Sequence, residues 1–157
     1  MCDLVELMKC FCCSGKEYED CCQPYIDLKK VAGTAEQLMR SRYSAYVLKE
    51  QFYLRESWVK DQCPAELELD DGTKWVRLEV VSTEKGLQED EAGKVEFRAY
   101  FVQQDKLFCV HEISDFQRYS DRWLYHSGEL IDEPVVSLSM NQLCPCGSGK
   151  KYKRCCR

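Results

Sequence analysis

Val95-Glu96-Phe97-Arg98-Ala99-Tyr100-Phe101 reads as a strand buried on one face, and that reading decides the fold. Val95, Phe97, Ala99 and Phe101 alternate with Glu96, Arg98 and Tyr100, which is the period of two that a half-buried strand needs. Toward the C-terminus, a strand from Lys106 to about Tyr119 follows across the short turn Gln104-Asp105, and another from Arg122 to about His126 follows across Ser120-Asp121. Toward the N-terminus, the acidic stretch Glu89-Asp90-Glu91-Ala92-Gly93 predicts a solvated hairpin loop. Before it, from Trp75 onward, Val76, Leu78 and Val80 alternate with Arg77 and Glu79. Four antiparallel strands in a meander are expected.

Upstream the period changes. Thr34 caps a helix with Gln37 completing a capping box, and Leu38, Met39, Tyr43, Tyr46 and Val47 form an apolar stripe at helical spacing. One helix is predicted from about 35 to 49. A second, short one is predicted around Phe52, Leu54 and Trp58, stopped by Cys63-Pro64. Helices first and a meander afterwards give an α+β domain whose helices pack on one face of a curved antiparallel sheet. The chain has 157 residues, 45% hydrophobic and 31% charged, so it can hold one core with small appendages. A formal charge of -5 argues against a protein that coats nucleic acid with its whole surface. No apolar run reaches the roughly 18 residues of a bilayer span. The start carries Asp3 and Glu6 where an export signal needs basic and then purely apolar residues. No membrane insertion and a cytoplasmic location are expected.

The abundant oddity is cysteine, with 12 in the chain. One pattern occurs at both ends, as Cys10-Phe-Cys12-Cys13-Ser14-Gly15-Lys16-Glu17-Tyr18-Glu-Asp-Cys21-Cys22 and as Cys144-Pro-Cys146-Gly147-Ser148-Gly149-Lys150-Lys151-Tyr152-Lys153-Arg154-Cys155-Cys156. Four thiolates gathered at one point suit a tetrahedral ion such as zinc, two ions in all, although four thiolates do not by themselves exclude iron. In each copy two ligands would come from a tight turn, in which Gly147 is free to take positive φ. The other two would come from a short helix capped by Ser14 or Ser148, with Ser14-x-x-Glu17 as a capping box. Tyr18 and Tyr152 would share a face with the last two ligands of each copy and shield the ion. A disulfide framework is the competing reading, but it needs an export route and gives no reason for the repeat. Cys13 occupies the place of Gly147, so either the first turn tolerates a side chain or Cys13 displaces Cys12 as a ligand. Cys2, Cys63 and Cys109 fall outside the pattern and read as packing residues.

The C-terminal copy resembles the SEC-C motif, a zinc knuckle also found at the end of the SecA translocation ATPase. Two such motifs flanking Thr34-Ala-Glu-Gln-Leu-Met-Arg-Ser-Arg-Tyr-Ser-Ala-Tyr46 resemble the bacterial YchJ family. Val95-Glu-Phe-x-Ala99, His111-Glu-x-Ser-x-Phe116 and Arg122-Trp-x-Tyr125 with Gly128 fit the same family. The resemblance implies a cone-shaped middle domain of the nuclear-transport-factor-two-like type. It supplies no biochemical activity. It implies a knuckle over 1–26, the cone over 27–138 and a second knuckle over 139–157. Cys13 for glycine and Trp58-Val59 depart from the family pattern.

Such a cone often holds a ligand, so an enzyme or small-ligand carrier is one functional class, with Arg42, Tyr46, Trp58 and His111 as candidate pocket residues. No nucleophile motif or phosphate loop supports catalysis. His111 and Glu112 are strand neighbours, point to opposite faces and cannot form one acid–base pair. His111 reads as a hydrogen-bonded core residue, and Arg40 or Arg42 as an arginine whose head pairs with Glu112 or Glu96. The metal candidates are Cys10, Cys12, Cys21, Cys22, Cys144, Cys146, Cys155 and Cys156. With four thiolates the sphere is closed, so the ion is structural and the knuckle presents side chains to something else. At the C-terminal copy these are Lys150, Lys151, Lys153 and Arg154; the N-terminal copy carries Glu17, Glu19 and Asp20 instead. A protein partner docked by that basic tip is the leading expectation, and contact with RNA or the ribosome is the third class.

Overall fold

A computed structural model describes residues 8–69 and 72–157. Cys2 and the acidic start of the chain lie outside them. The elements run α1 (Gln23–Ile26), α2 (Ala35–Leu48), α3 (Gln51–Glu56), β1 (Lys74–Lys85), β2 (Ala92–Gln103), β3 (Lys106–Tyr119), β4 (Arg122–Ile131) and β5 (Val136–Ser137). Single 3-10 turns occupy Tyr18–Asp20, Lys60–Gln62 and Tyr152–Arg154.

Strands β1 to β4 pair antiparallel in chain order, and β5 joins the far edge of β3 at Lys106 and Leu107. Register shifts between Trp75 and Arg77, Val80 and Ser82, and Asp115 and Phe116 bend the sheet. It thereby curls around α2. Gln104 and Asp105 both have positive φ, as a two-residue hairpin turn needs. The predicted loop over 89–93 is shorter at its end, because Ala92 and Gly93 already pair with Gln117 and Phe116. Gly93 must be glycine there, since a Cβ would stand 2.4 Å from the Cα of Gly86. Strand β4 also outruns its predicted end at His126. It passes Gly128, where a Cβ would meet Glu112 Oε1 at 1.9 Å.

Helix α2 starts where the capping box places it. Thr34 Oγ1 accepts the Gln37 amide at 3.1 Å, and Gln37 Oε1 accepts the amide of Gly33 at 2.8 Å. Leu38, Met39 and Tyr43 are buried against Leu78, Val95, Ala99, Phe116 and Trp123 on the concave face of the sheet. Helix α3 stops at Glu56, before the Cys63-Pro64 break and without Trp58. The chain turns there because it adds to the sheet: Tyr125 donates its amide to Ser57 O, and Val59 donates to Tyr125 O, both at 2.8 Å. Trp58 is thereby delivered to the mouth of the cone.

Candidate metal centres and central cavity

The two cysteine clusters are built alike. Cys10 donates its amide to Lys16 O at 2.9 Å and Cys144 to Lys150 O at 2.8 Å, closing a small hairpin in each copy. Cys13 accepts the positive φ of its position, 61° against 84° at Gly147, so the turn tolerates a side chain there. The expected helix is one 3-10 turn in both copies, and Cys21, Cys22, Cys155 and Cys156 lie beyond it. The serines do not cap it. Ser14 Oγ accepts the Lys16 amide and faces Cys21 Sγ at 3.2 Å; Ser148 Oγ does the same with Lys150 and Cys155, also at 3.2 Å. Glu17, expected in a capping box, pairs with Lys9 instead. A hydroxyl in that place donates to a thiolate and steadies its charge.

In each copy four sulfurs converge. Cys10, Cys12, Cys21 and Cys22, and likewise Cys144, Cys146, Cys155 and Cys156, place their Sγ atoms within 4.8 Å of one another. Cys12 to Cys21 is 3.6 Å and Cys146 to Cys155 is 3.5 Å. A tetrahedral ion about 2.3 Å from each sulfur sets its ligands about 3.8 Å apart, so the donor set fits such an ion. A disulfide needs about 2.05 Å, and every described cysteine is free. Cys13 turns away and accepts the amide of Leu78 on Sγ at 3.5 Å. Both clusters are therefore compatible with metal binding.

The thiols respond to one another as four acids sharing a small volume. Hydrogen bonds from Cys10 and Cys22 hold the Cys12 thiol far down, whereas burial pushes Cys21 up to about 11. Burial also works to raise Cys146, but bonds from Ser148, Cys144 and Cys155 outweigh it and hold this thiol at about 6. Burial raises Cys144 and Cys156. In each cluster one thiol, Cys12 or Cys146, is favoured as the thiolate while Cys21, Cys22, Cys144 and Cys156 are shifted the other way, and a cation bound among them would favour their ionised forms.

The copies differ in what they rest on. Cys10, Cys12 and Cys22 belong to the same buried cluster as α2 and β1. The C-terminal copy lies on the convex face, where Tyr152, Cys144 and Leu138 pack with Val102. There the buried Tyr152 donates to Asp105 Oδ1 at 2.8 Å, an anchor to the β2–β3 turn. Lys150, Lys151, Lys153 and Arg154 are all exposed. Leu143 is 68% exposed and bridges to Lys151, so an apolar side chain stands beside that cation.

Between α2 and the concave face lies a cavity of about 300 Å³. Arg42, Tyr46 and Trp58 line it, together with Trp75, Glu112 and Tyr125. His111 does not: it is 5% exposed on the convex face, with Nδ1 2.8 Å from Glu133 Oε1 and Nε2 2.8 Å from Glu96 Oε1. Alternation along β3 sends Glu112 inward and His111 outward, so the strand period excludes His111 from the pocket. Neither arginine pairs as expected. Arg42 Nη1 donates to Leu54 O and Ser57 Oγ, and Arg40 Nη1 donates to Cys12 O at 2.8 Å. Glu96 is taken by His111, and Glu112 Oε1 accepts from Tyr125 and Ser114. Sequence reasoning missed Ser44, Glu112, Tyr125 and Glu133 as site residues. Ser41 and Ser44, serines on the apolar face of a helix, were the legible sign that polar partners lie inside.

Among the described residues, no helix is long and apolar enough to cross a membrane. Residues 34–128 match the model of the YchJ middle, nuclear-transport-factor-two-like domain, and residues 140–157 match the SEC-C motif. The chain is 47% identical to a UPF0225 protein of Photorhabdus laumondii, covering 94% of this chain and 97% of the relative. It is 36% identical to one of Geobacter sulfurreducens, covering 94% and 96%. The solution structure of a SEC-C motif containing protein from Rhodopseudomonas palustris, 32% identical, covers 80% of this chain and all of its own, with a TM-score of 0.70. The crystal structure of a SEC-C motif containing protein from Psychrobacter arcticus, 35% identical, covers 91% and 86% with a TM-score of 0.57. Cone, cysteine clusters and these matches agree that the chain belongs to the YchJ family, whose bacterial members are the UPF0225 proteins.

Proposed function

We propose that this is a binding module held in shape by two zinc ions, whose C-terminal knuckle docks an acidic protein partner. The observation that carries the reading is the pair of four-sulfur clusters with matched turns and matched serine–thiol contacts. Cys10, Cys12, Cys21 and Cys22 would hold one ion and Cys144, Cys146, Cys155 and Cys156 the other. Zinc there supplies cross-linking charge and no open coordination position, so its role is to fold the knuckles rather than to activate water. The cytoplasm, where thiols stay reduced, suits such sites. The chain's own residues do the rest: Ser14 and Ser148 donate to thiolates, and Tyr152 pins the second knuckle to Asp105. That knuckle then offers Lys150, Lys151, Lys153 and Arg154 together with the exposed Leu143, a mixture of charge and apolar surface that suits a protein better than a phosphate backbone.

The test is affinity capture from a bacterial extract, with and without nuclease, using the protein and a variant with all four cations changed to glutamate. The same partners lost on charge reversal and retained after nuclease support protein docking; loss on nuclease alone assigns the tip to RNA. Undiminished capture by the variant at equal salt would make the knuckle a structural cap.

A further inference from the structure

The cavity of the cone has its own chemistry, independent of the knuckles. Its wall is mostly aromatic, with Tyr43, Tyr46, Trp58, Trp75, Phe97, Phe116 and Tyr125 contributing rings. Into this wall the fold places, among the described residues, one cation. Arg42 is 6% exposed, and its guanidinium carbon stands 4.8 Å over the centres of both the Trp58 and Tyr125 rings. Its hydrogen bonds run from Nη1 to Leu54 O at 2.8 Å and to Ser57 Oγ at 2.6 Å, both neutral acceptors. Among the described residues no carboxylate lies at ion-pair distance from it. Glu112 acts on it only from farther across the same cavity. Burying a guanidinium with so distant a counter-charge is expensive, and an arginine keeps its proton.

Among the described residues the cavity has one carboxylate, Glu112, and one of its oxygens is already engaged. Glu112 Oε1 accepts the Tyr125 hydroxyl at 2.7 Å and the Ser114 hydroxyl at 2.8 Å. One further donor points to a missing acceptor: Trp58 Nε1 is buried without a hydrogen-bond partner. The Tyr46 phenol stands on the same wall, engaged with Arg42. We infer that the cavity binds a small organic monocarboxylate with an aromatic body, its carboxylate taken by Arg42 and Trp58 Nε1 and its ring held among Tyr43, Trp75 and Phe97. A cationic ligand is disfavoured because Arg42 already occupies the ring faces that would attract it. A dianionic phosphate carries twice the charge of a carboxylate against Glu112 and needs more donors than Arg42 and Trp58 Nε1 supply. A volume of about 300 Å³ sits at the small end of ligand sites and limits the guest to about a dozen heavy atoms.

The probes are phenylacetate, its neutral isostere phenylacetamide and the amine phenethylamine, titrated into the metal-loaded full chain. Indole N–H resonances report the site. Trp58 and Trp75 line the cavity, while Trp123 donates to Gly33 O at 3.2 Å and serves as the internal reference. Phenylacetate is expected to shift the Trp58 and Trp75 signals saturably and leave Trp123 in place, and to bind at least about tenfold more tightly than the amide. The amine should not bind. Ala99→Leu fills the cavity from a position 3% exposed and should abolish binding while the protein stays folded. Arg42→Met should remove the preference for the acid over the amide; if that variant does not fold, the isostere comparison in the wild type still decides. Equal or tighter binding of the amide or the amine, or no saturable shift up to about 10 mM phenylacetate, overturns the assignment.

Discussion

Arg40 donates from Nη1 to the carbonyl oxygen of Cys12 at 2.8 Å, so a side chain of α2 holds the turn that carries two of the N-terminal thiols. Cys10 Sγ lies 3.7 Å from Ser44 Oγ on the same helix, and the Leu78 amide of edge strand β1 meets Cys13 Sγ at 3.5 Å. The knuckle thus covers an unpaired strand edge and shares the main core. Removing its metal should therefore reach beyond the knuckle. A strong chelator is expected to lower the thermal midpoint of the tryptophan near-ultraviolet signal by several degrees, since about 1 kcal/mol moves a chain of this size by about 2–4 °C. A Cys144→Ser, Cys146→Ser double variant, whose cluster packs on the convex face, should lower that midpoint less. An unchanged midpoint after complete metal removal would show that the cone stands free of its first knuckle.

The serine contacts make a second expectation. Ser14 and Ser148 each stand 3.2 Å from a candidate ligand sulfur, and partners of that kind commonly change metal affinity about 10- to 100-fold. Ser14→Ala and Ser148→Ala should each speed metal loss to a competing chelator from one site only, with total zinc still near two equivalents at rest. Elemental analysis measures both, and it also separates zinc from iron. If either alanine variant released metal at the wild-type rate, the hydroxyl would belong to the turn alone.

The sheet was legible because its strands alternate cleanly, and α2 because Thr34 and Gln37 mark its start and Leu38, Met39 and Tyr43 its buried face. Trp58 was misplaced because a periodic pattern cannot show that Ser57 and Val59 bond to Tyr125, a partner far away in the chain. His111 was assigned to the pocket although strand alternation, applied to its neighbour Glu112, already sends it to the other face. Its carboxylate partners come from β2 and from the chain beyond β4, which only tertiary structure brings together. The cysteine pattern carried the clusters but not their footing, because Arg40 and Ser44 look like any helix residues until the knuckle lies on them.

Cys13 allows the choice of ligand at the first site to be tested directly. It holds a φ of 61° that a glycine adopts without the roughly 1 kcal/mol penalty a side chain carries. Its sulfur faces Leu78 rather than the cluster. Cys13→Gly is expected to keep two equivalents of metal and to match or slightly exceed wild-type stability, whereas Cys12→Ser should lose one equivalent. Loss of metal on Cys13→Gly with retention on Cys12→Ser would reverse the assignment.

His111 links the convex face to acid. Both ring nitrogens lie 2.8 Å from carboxylate oxygens, of Glu96 and Glu133. The bond to His111 is the main cause holding both carboxyls below their ordinary value of 4.5, with Ser82 assisting at Glu96 and Arg98 at Glu133. A carboxyl whose folded pKa is depressed stabilises the fold above its unfolded value, and that contribution is lost as pH falls through the folded value. The window therefore opens near pH 4.5 and extends below it. Glu133 lies on the chain between β4 and β5, so its release should loosen the path to the C-terminal knuckle first. Urea midpoints of the wild type and His111→Gln should differ most near neutrality and converge as the pH is taken from about 5 to 3. Amide exchange over residues 132–138 should rise in the wild type across the same interval. A wild-type advantage that stayed constant down to pH 3 would mean that His111 stabilises the face by packing alone, without drawing on the two carboxylates.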